Sequence, residues 1–137
     1  MDLRDASRRV GIAAAVATVV VLGAPYAVIT GPEYASQLAD YYASGAVGAA
    51  GIALFALLSA VVVASVERGN LDPGTLAGAA VVLGGATTLS AASWALAIEP
   101  TPVFRDNLWL VWHARAVVAL SVPVPLSAAA YARALLS

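Results

Sequence analysis

Few residues in this chain could do chemistry, and they are densest in one segment. Asp106-Asn107-Leu108-Trp109-Leu110-Val111-Trp112-His113-Ala114-Arg115 holds the lone histidine, two of the three tryptophans and an arginine. On a helix, Asp106, Trp109 and His113 share one stripe, because offsets of seven and four residues follow the helical repeat. Trp112 and Arg115 are three apart, within reach of a cation–π contact. Arg115 lies one to two turns inside an apolar run, where an unpaired charge is costly. Glu99, at the end of the preceding run, is a candidate partner. Glu99, Asp106, Trp109, Trp112, His113 and Arg115 thus form a candidate outer-leaflet cluster for a ligand, an ion, a proton or a lipid headgroup. The plainer alternative has Arg115 snorkelling to an interface and His113 as an ordinary interfacial residue.

Other polar positions carry weaker signals. Thr87, Ser90 and Trp94 fall on one helical stripe, with Thr88 and Ser93 beside it. They could line a polar path, but such hydroxyls more often bond carbonyls of their own or a neighbouring helix. Pro123 and Pro125 lack an N–H, so the carbonyls of Ala119 and Ser121 lose their usual partners. Freed carbonyls can bind a cation or mark a hinge. Ser121 or Ser127 could instead satisfy them, leaving a static kink, which is the favoured reading. Ser7-Arg8-Arg9 before an apolar run resembles a twin-arginine export signal. Three further apolar runs follow, so positive-inside anchoring of a first helix is favoured over cleavage.

Composition removes several function classes. Of 137 residues, 61% are hydrophobic and 11% charged. Typical soluble domains run at roughly 45–50% apolar and about 25% charged. A small domain cannot hide such an excess from water, because much of its surface stays exposed. The net charge of −1 makes a nucleic-acid partner unexpected. With no cysteine, the chain contains no disulfide, thiolate or Cys-type zinc chemistry. With one histidine, a single copy builds neither a bis-histidine haem site nor a multi-histidine metal site. No catalytic residues, cofactor or metal are therefore expected.

The elements that position the polar residues are four uncharged or nearly uncharged runs, at residues 10–29, 45–66, 75–98 and 108–132. A bilayer core about 30 Å thick takes about 20 helical residues, and each run supplies that. The expectation is a single all-α domain, a four-helix transmembrane bundle with short loops and multi-pass in the cell membrane. Residues 30–44 and 99–107 read as outer loops, and 67–74 as a tight turn between antiparallel helices. Arg4, Arg8, Arg9, Arg68 and Arg133 fall on one side of the spans, while Arg105 and Arg115 fall on the other, so both termini are expected to be cytoplasmic. Tyr26, Tyr34, Tyr41, Tyr42, Trp94, Phe104, Trp109 and Trp112 cluster at the opposite, outer interface, where rings can sit in lipid and polar tips in water. Gly45, Gly48, Gly51, Gly74 and Gly78 recur at helical spacing, with Gly84-Gly85 following. They are candidate helix-packing positions, within one bundle or between partners.

A whole-chain pattern accompanies these runs. It comprises the arginine-bearing start, Pro25-Tyr26 near the end of the first helix, Tyr41-Tyr42 before a glycine-rich second helix, and Trp112-His113 opening the fourth. The pattern resembles uncharacterised four-span integral membrane proteins of haloarchaea, and that resemblance implies no activity. Small multidrug exporters place a carboxylate in the first helix, which this chain lacks. Quinone-linked reductases of the vitamin K epoxide type need cysteine pairs. The leading expectation is a non-catalytic membrane protein, a structural element or a small subunit of a larger complex. Its partners would be the lipid bilayer and itself or other membrane proteins. The second is a small oligomeric carrier or channel using Arg115, His113 and Glu99 near the outer mouth. An enzyme acting on lipids or quinones ranks third.

Overall fold

Local signals set each helix boundary. Asp2 opens α1 (Leu3–Val28): its carboxylate accepts the Asp5 N–H at 2.8 Å, satisfying a first-turn donor. Helix therefore begins well before the apolar run, and Arg4, Arg8 and Arg9 ride on its first turns. Asp72 caps α4 (Pro73–Ala97) in the same way, bonding the Thr75 N–H at 2.9 Å, with Pro73 in the first helical position, where the missing N–H costs nothing. Between them lie a 3-10 turn at Pro32–Tyr34, α2 (Ala35–Ala43) and α3 (Gly48–Val66). The last two helices are α5 (Leu110–Ser121) and α6 (Pro123–Leu136), two halves of one apolar rod joined at Val122. The computed structural model describes residues 2–66, 68–69, 72–98 and 107–136.

Residues 30–44, expected as a loop, are mostly helical. Leu38 and Tyr41, three apart on α2, are both buried, and that packing holds a nine-residue helix too short to persist alone.

The described chain is all-α, and four of its rods are long and apolar enough to cross a membrane. They form a closed ring. α1 packs against α3 and against α5–α6, and α4 does the same from the opposite side. Contacts layer along the ring. Val66, Ala77 and Tyr131 pack at one end, while Ile29, Tyr41, Ala49, Trp94 and Leu110 pack at the other. The chain therefore runs up and down in turn, and both termini lie at the same end.

Small side chains take up much of the interior. Ala15, Ala56, Ala80 and Ala91 are essentially fully enclosed, as are Thr18, Ser59, Thr87 and Ser121, beside larger residues such as Trp94, Tyr131, Ile52 and Leu110. Many other large apolar residues face outward: Val82 is 70% exposed, Leu89 73% and Leu96 88%. Only 28% to 39% of the most apolar stretch of each rod is buried within the bundle. A water-soluble bundle has the reverse arrangement, whereas close packing of small residues is how helices associate in lipid.

The buried hydroxyls mostly bond carbonyls of their own helix. Thr18 reaches the Ala14 carbonyl at 2.7 Å, and Thr87 the Leu83 carbonyl at 2.8 Å. At the α5–α6 junction, the Thr88 hydroxyl crosses from α4 to the Ser121 carbonyl at 3.1 Å, replacing the partner that Pro125 removes. Ser121 and Ser127 themselves bond the Val118 and Val124 carbonyls. The junction between α5 and α6 is thus stitched by a neighbouring helix.

Candidate functional site

The polar atoms converge where α1 is interrupted. Pro25 is buried inside α1 and has no N–H, so the Val21 carbonyl lacks its helical partner. His113 of α5 supplies one: Nε2 lies 2.6 Å from the Val21 oxygen. A carbonyl can only accept, so Nε2 carries the hydrogen. In the neutral ring, Nδ1 is then the acceptor. The Tyr41 hydroxyl sits 2.6 Å from Nδ1 and donates to it. Burial, with Tyr42 adding a smaller effect, holds the Tyr41 phenol well above its ordinary pKa, so it keeps the proton it donates.

At the next carbonyl of α1 a second side chain joins in: the Tyr42 hydroxyl donates to the Leu22 carbonyl at 2.9 Å and accepts the Tyr26 N–H at 3.2 Å. The helix closes with the Ile29 N–H on the Pro25 carbonyl at 2.8 Å. Adjacent carbonyls of α1 are therefore held by side chains from α5 and α2.

Trp94 of α4 completes the cluster. Its indole N–H donates to the Tyr41 carbonyl at 2.8 Å, and its ring meets Tyr41 edge-on at 5.1 Å and His113 at 5.9 Å. Trp109 meets His113 edge-on at 6.0 Å. Such edge-to-face pairs are each worth about 0.5–1.5 kcal/mol beyond the area they bury. The chain between α2 and α3 lies directly on Trp94. Gly45 has φ +83, and a Cβ there would come within 2.7 Å of the Trp94 Cα. Only glycine fits both the backbone angle and the gap. The Ala46 N–H then bonds the Ser93 hydroxyl at 3.3 Å.

A family of unknown function, DUF7548, matches residues 1–136 of this sequence. The chain belongs to that family. No curated protein and no solved structure matches it significantly. Membership supplies no activity, so the chemistry of this DUF7548 chain rests on its own residues.

The structure divides the cluster expected from the sequence. His113 is 4% exposed and faces the bundle interior, with Trp109 against its ring at the start of α5. Arg115 is exposed, and its guanidinium lies 4.9 Å from the centre of the Trp112 ring, which is 64% exposed. Two residues subtend about 200° on a helix, so His113 and Arg115 cannot share a face. Glu99 and Asp106 lie outside the described residues. Among the described residues, no three His, Asp or Glu side chains gather as a metal site would need.

The glycines also separate. Gly45 and Gly48 shape the α2–α3 turn, both with positive φ. Gly51 lies against the Val47 side chain, Gly74 is partly buried at the start of α4, and Gly78 faces open space. At Gly84 a Cβ would meet the backbone of a neighbouring helix, the Pro125 Cα at 2.8 Å, and at Gly11 it would meet the Ser127 hydroxyl at 2.7 Å.

Sequence reasoning missed Pro25, Tyr41 and Tyr42 as members of the site. The usable signal was Pro25 itself, because an in-helix proline always frees a carbonyl that must be satisfied. The side chain that answers it, His113, lies 92 positions away in sequence.

Proposed function

We propose that this protein is a non-catalytic integral membrane protein of the cell membrane, of the four-span kind it resembles in haloarchaea. Its 137 residues form a single transmembrane domain with both termini cytoplasmic. It acts as a structural element or small subunit of a membrane complex, held by lipid and by other copies or other membrane proteins. One observation carries this reading: both nitrogens of the single histidine are engaged by protein groups, Val21 and Tyr41. The ring is a tie between three helices, with no lone pair turned toward an opening. Two further polar side chains also tie helices together, as Thr88 bonds Ser121 and Trp94 bonds Tyr41.

The outward apolar surface supports membrane placement, since a face bearing Val82, Leu89 and Leu96 is costly in water. The arginine distribution supports the orientation. The carrier or channel alternative, using Arg115, His113 and Glu99 together, has less support, because Arg115 and His113 point in opposite directions. A test is extraction from native membranes in mild detergent, followed by chemical cross-linking and sizing. The proposal expects a defined oligomer or a co-purifying membrane partner. A strictly monomeric chain without partners, together with arginine- and histidine-dependent solute flux in liposomes, would overturn it.

A further inference from the structure

Beside the tyrosine stitch, a cavity of about 420 Å³ opens between the last turn of α1, the Pro32–Tyr34 turn and α2. That volume lies within the range of roughly 300–1,000 Å³ typical of small-molecule sites. Buried Ile29 and Leu38 line it, with Ala35 and Ala39 at its edge and Tyr26 and Thr30 at its exposed rim. No formally charged side chain contributes to the lining. The polar atoms of its side chains are hydroxyls, and that of Tyr42 is already engaged by Leu22 and Tyr26. A charged ligand would lose its hydration here with nothing to replace it. An apolar chain loses nothing and gains close contacts.

The geometry points to a site for one alkyl or isoprenoid chain of a membrane lipid, lying against Ile29 and Leu38. Ala27 and Val28, between the lining residues Tyr26 and Ile29, are both exposed, so a chain can enter sideways from lipid. The Thr30 hydroxyl at the rim meets the polar end of the lipid. This site rests on the four-span reading, because it needs α1 to stand in a bilayer with its C-terminal turn at the interface.

The test uses the full chain in phosphatidylcholine liposomes with a diazirine-bearing fatty acid, photolysed and mapped by peptide mass spectrometry. Label is expected to concentrate on residues 26–42. Ala39→Trp, which fills the cavity from an exposed position, should cut that labelling about tenfold, the loss of one site of modest affinity. Ala35→Trp provides a second blocking variant, and Val82→Trp on the outward face of α4 should leave the labelling unchanged. If both blocking variants label residues 26–42 as the wild type does, while the outer faces of α1 and α4 take up probe, the site is refuted and the membrane reading stands. Absence of label on every apolar face removes both.

Discussion

His113 and Val21 stand 92 positions apart in sequence, yet the imidazole Nε2 of one lies 2.6 Å from the carbonyl oxygen of the other. That carbonyl is open because residue 25 is proline. The two features are therefore coupled. Truncating His113 to alanine leaves the Val21 carbonyl and Tyr41 hydroxyl without their imidazole bonds, at an expected cost of about 1–3 kcal/mol. In a Pro25→Ala background, the helix can supply its own N–H to Val21, so His113→Ala should cost less. A double-mutant cycle by reversible unfolding in detergent should return a coupling of about 0.5–2 kcal/mol. Strict additivity would mean that the bond does not hold the helices together.

Tyr42 is the second tie on the same helix. Tyr42→Phe keeps the ring and removes the oxygen between Leu22 and Tyr26. The expected loss is about 1 kcal/mol. Amide exchange at Tyr26 should accelerate while exchange near Thr18 stays unchanged, because only the C-terminal part of α1 depends on this hydroxyl. Equal acceleration along all of α1 would contradict a local stitch.

Glycines on one helix should respond oppositely to the same substitution. Gly84→Ala places a methyl 2.8 Å from the Pro125 Cα, a backbone atom that cannot turn aside. It should destabilise by about 1–3 kcal/mol through overpacking. Gly78→Ala meets nothing within contact distance. It should be neutral or stabilise by about 0.5–1 kcal/mol, through helix propensity alone. Thermal unfolding of the two variants side by side reads the difference.

The α4 cap gives a pH dependence with a defined sign. Hydrogen bonds from the Thr75 hydroxyl and N–H hold the exposed Asp72 carboxyl below its ordinary pKa. A depressed folded-state value means that the unfolded chain takes up the proton first. The contribution of Asp72 is thus complete above the ordinary carboxylate range and is lost as pH falls through the lowered value. The difference in melting temperature between wild type and Asp72→Ala should be constant from about pH 7 to about pH 5 and shrink below about pH 4. A gap that widens on acidification would reverse the assignment.

The four apolar rods were legible because lipid-length hydrophobic runs leave a plain mark in sequence, and the Thr88–Ser121 bond answers a need that Pro125 announces. α2 was not legible. Its nine residues are too few for a helix to persist alone, and they fold because Leu38 and Tyr41 pack into the core with residues of α1, α4 and α5. Sequence proximity misled at His113 and Arg115, which are two positions apart but on opposite faces, one tied to Val21 and the other stacked on Trp112. Gly84 lies against the backbone of α6 at Pro125, whereas Gly78 meets nothing within contact distance. A spacing rule identifies small residues, but the tertiary arrangement decides which of them a neighbour reaches.

Placement in the bilayer is tested most directly by cysteine accessibility, since the chain contains no cysteine of its own. Single variants Ser36→Cys in α2, Asn70→Cys between α3 and α4, and Val82→Cys within α4 are expressed in intact cells and treated with a membrane-impermeant maleimide. The account predicts that Ser36→Cys reacts from outside, Asn70→Cys reacts only after the membrane is opened, and Val82→Cys stays shielded until detergent is added. Free reaction of Val82→Cys in water, or reaction of Ser36→Cys and Asn70→Cys from the same side, would contradict it.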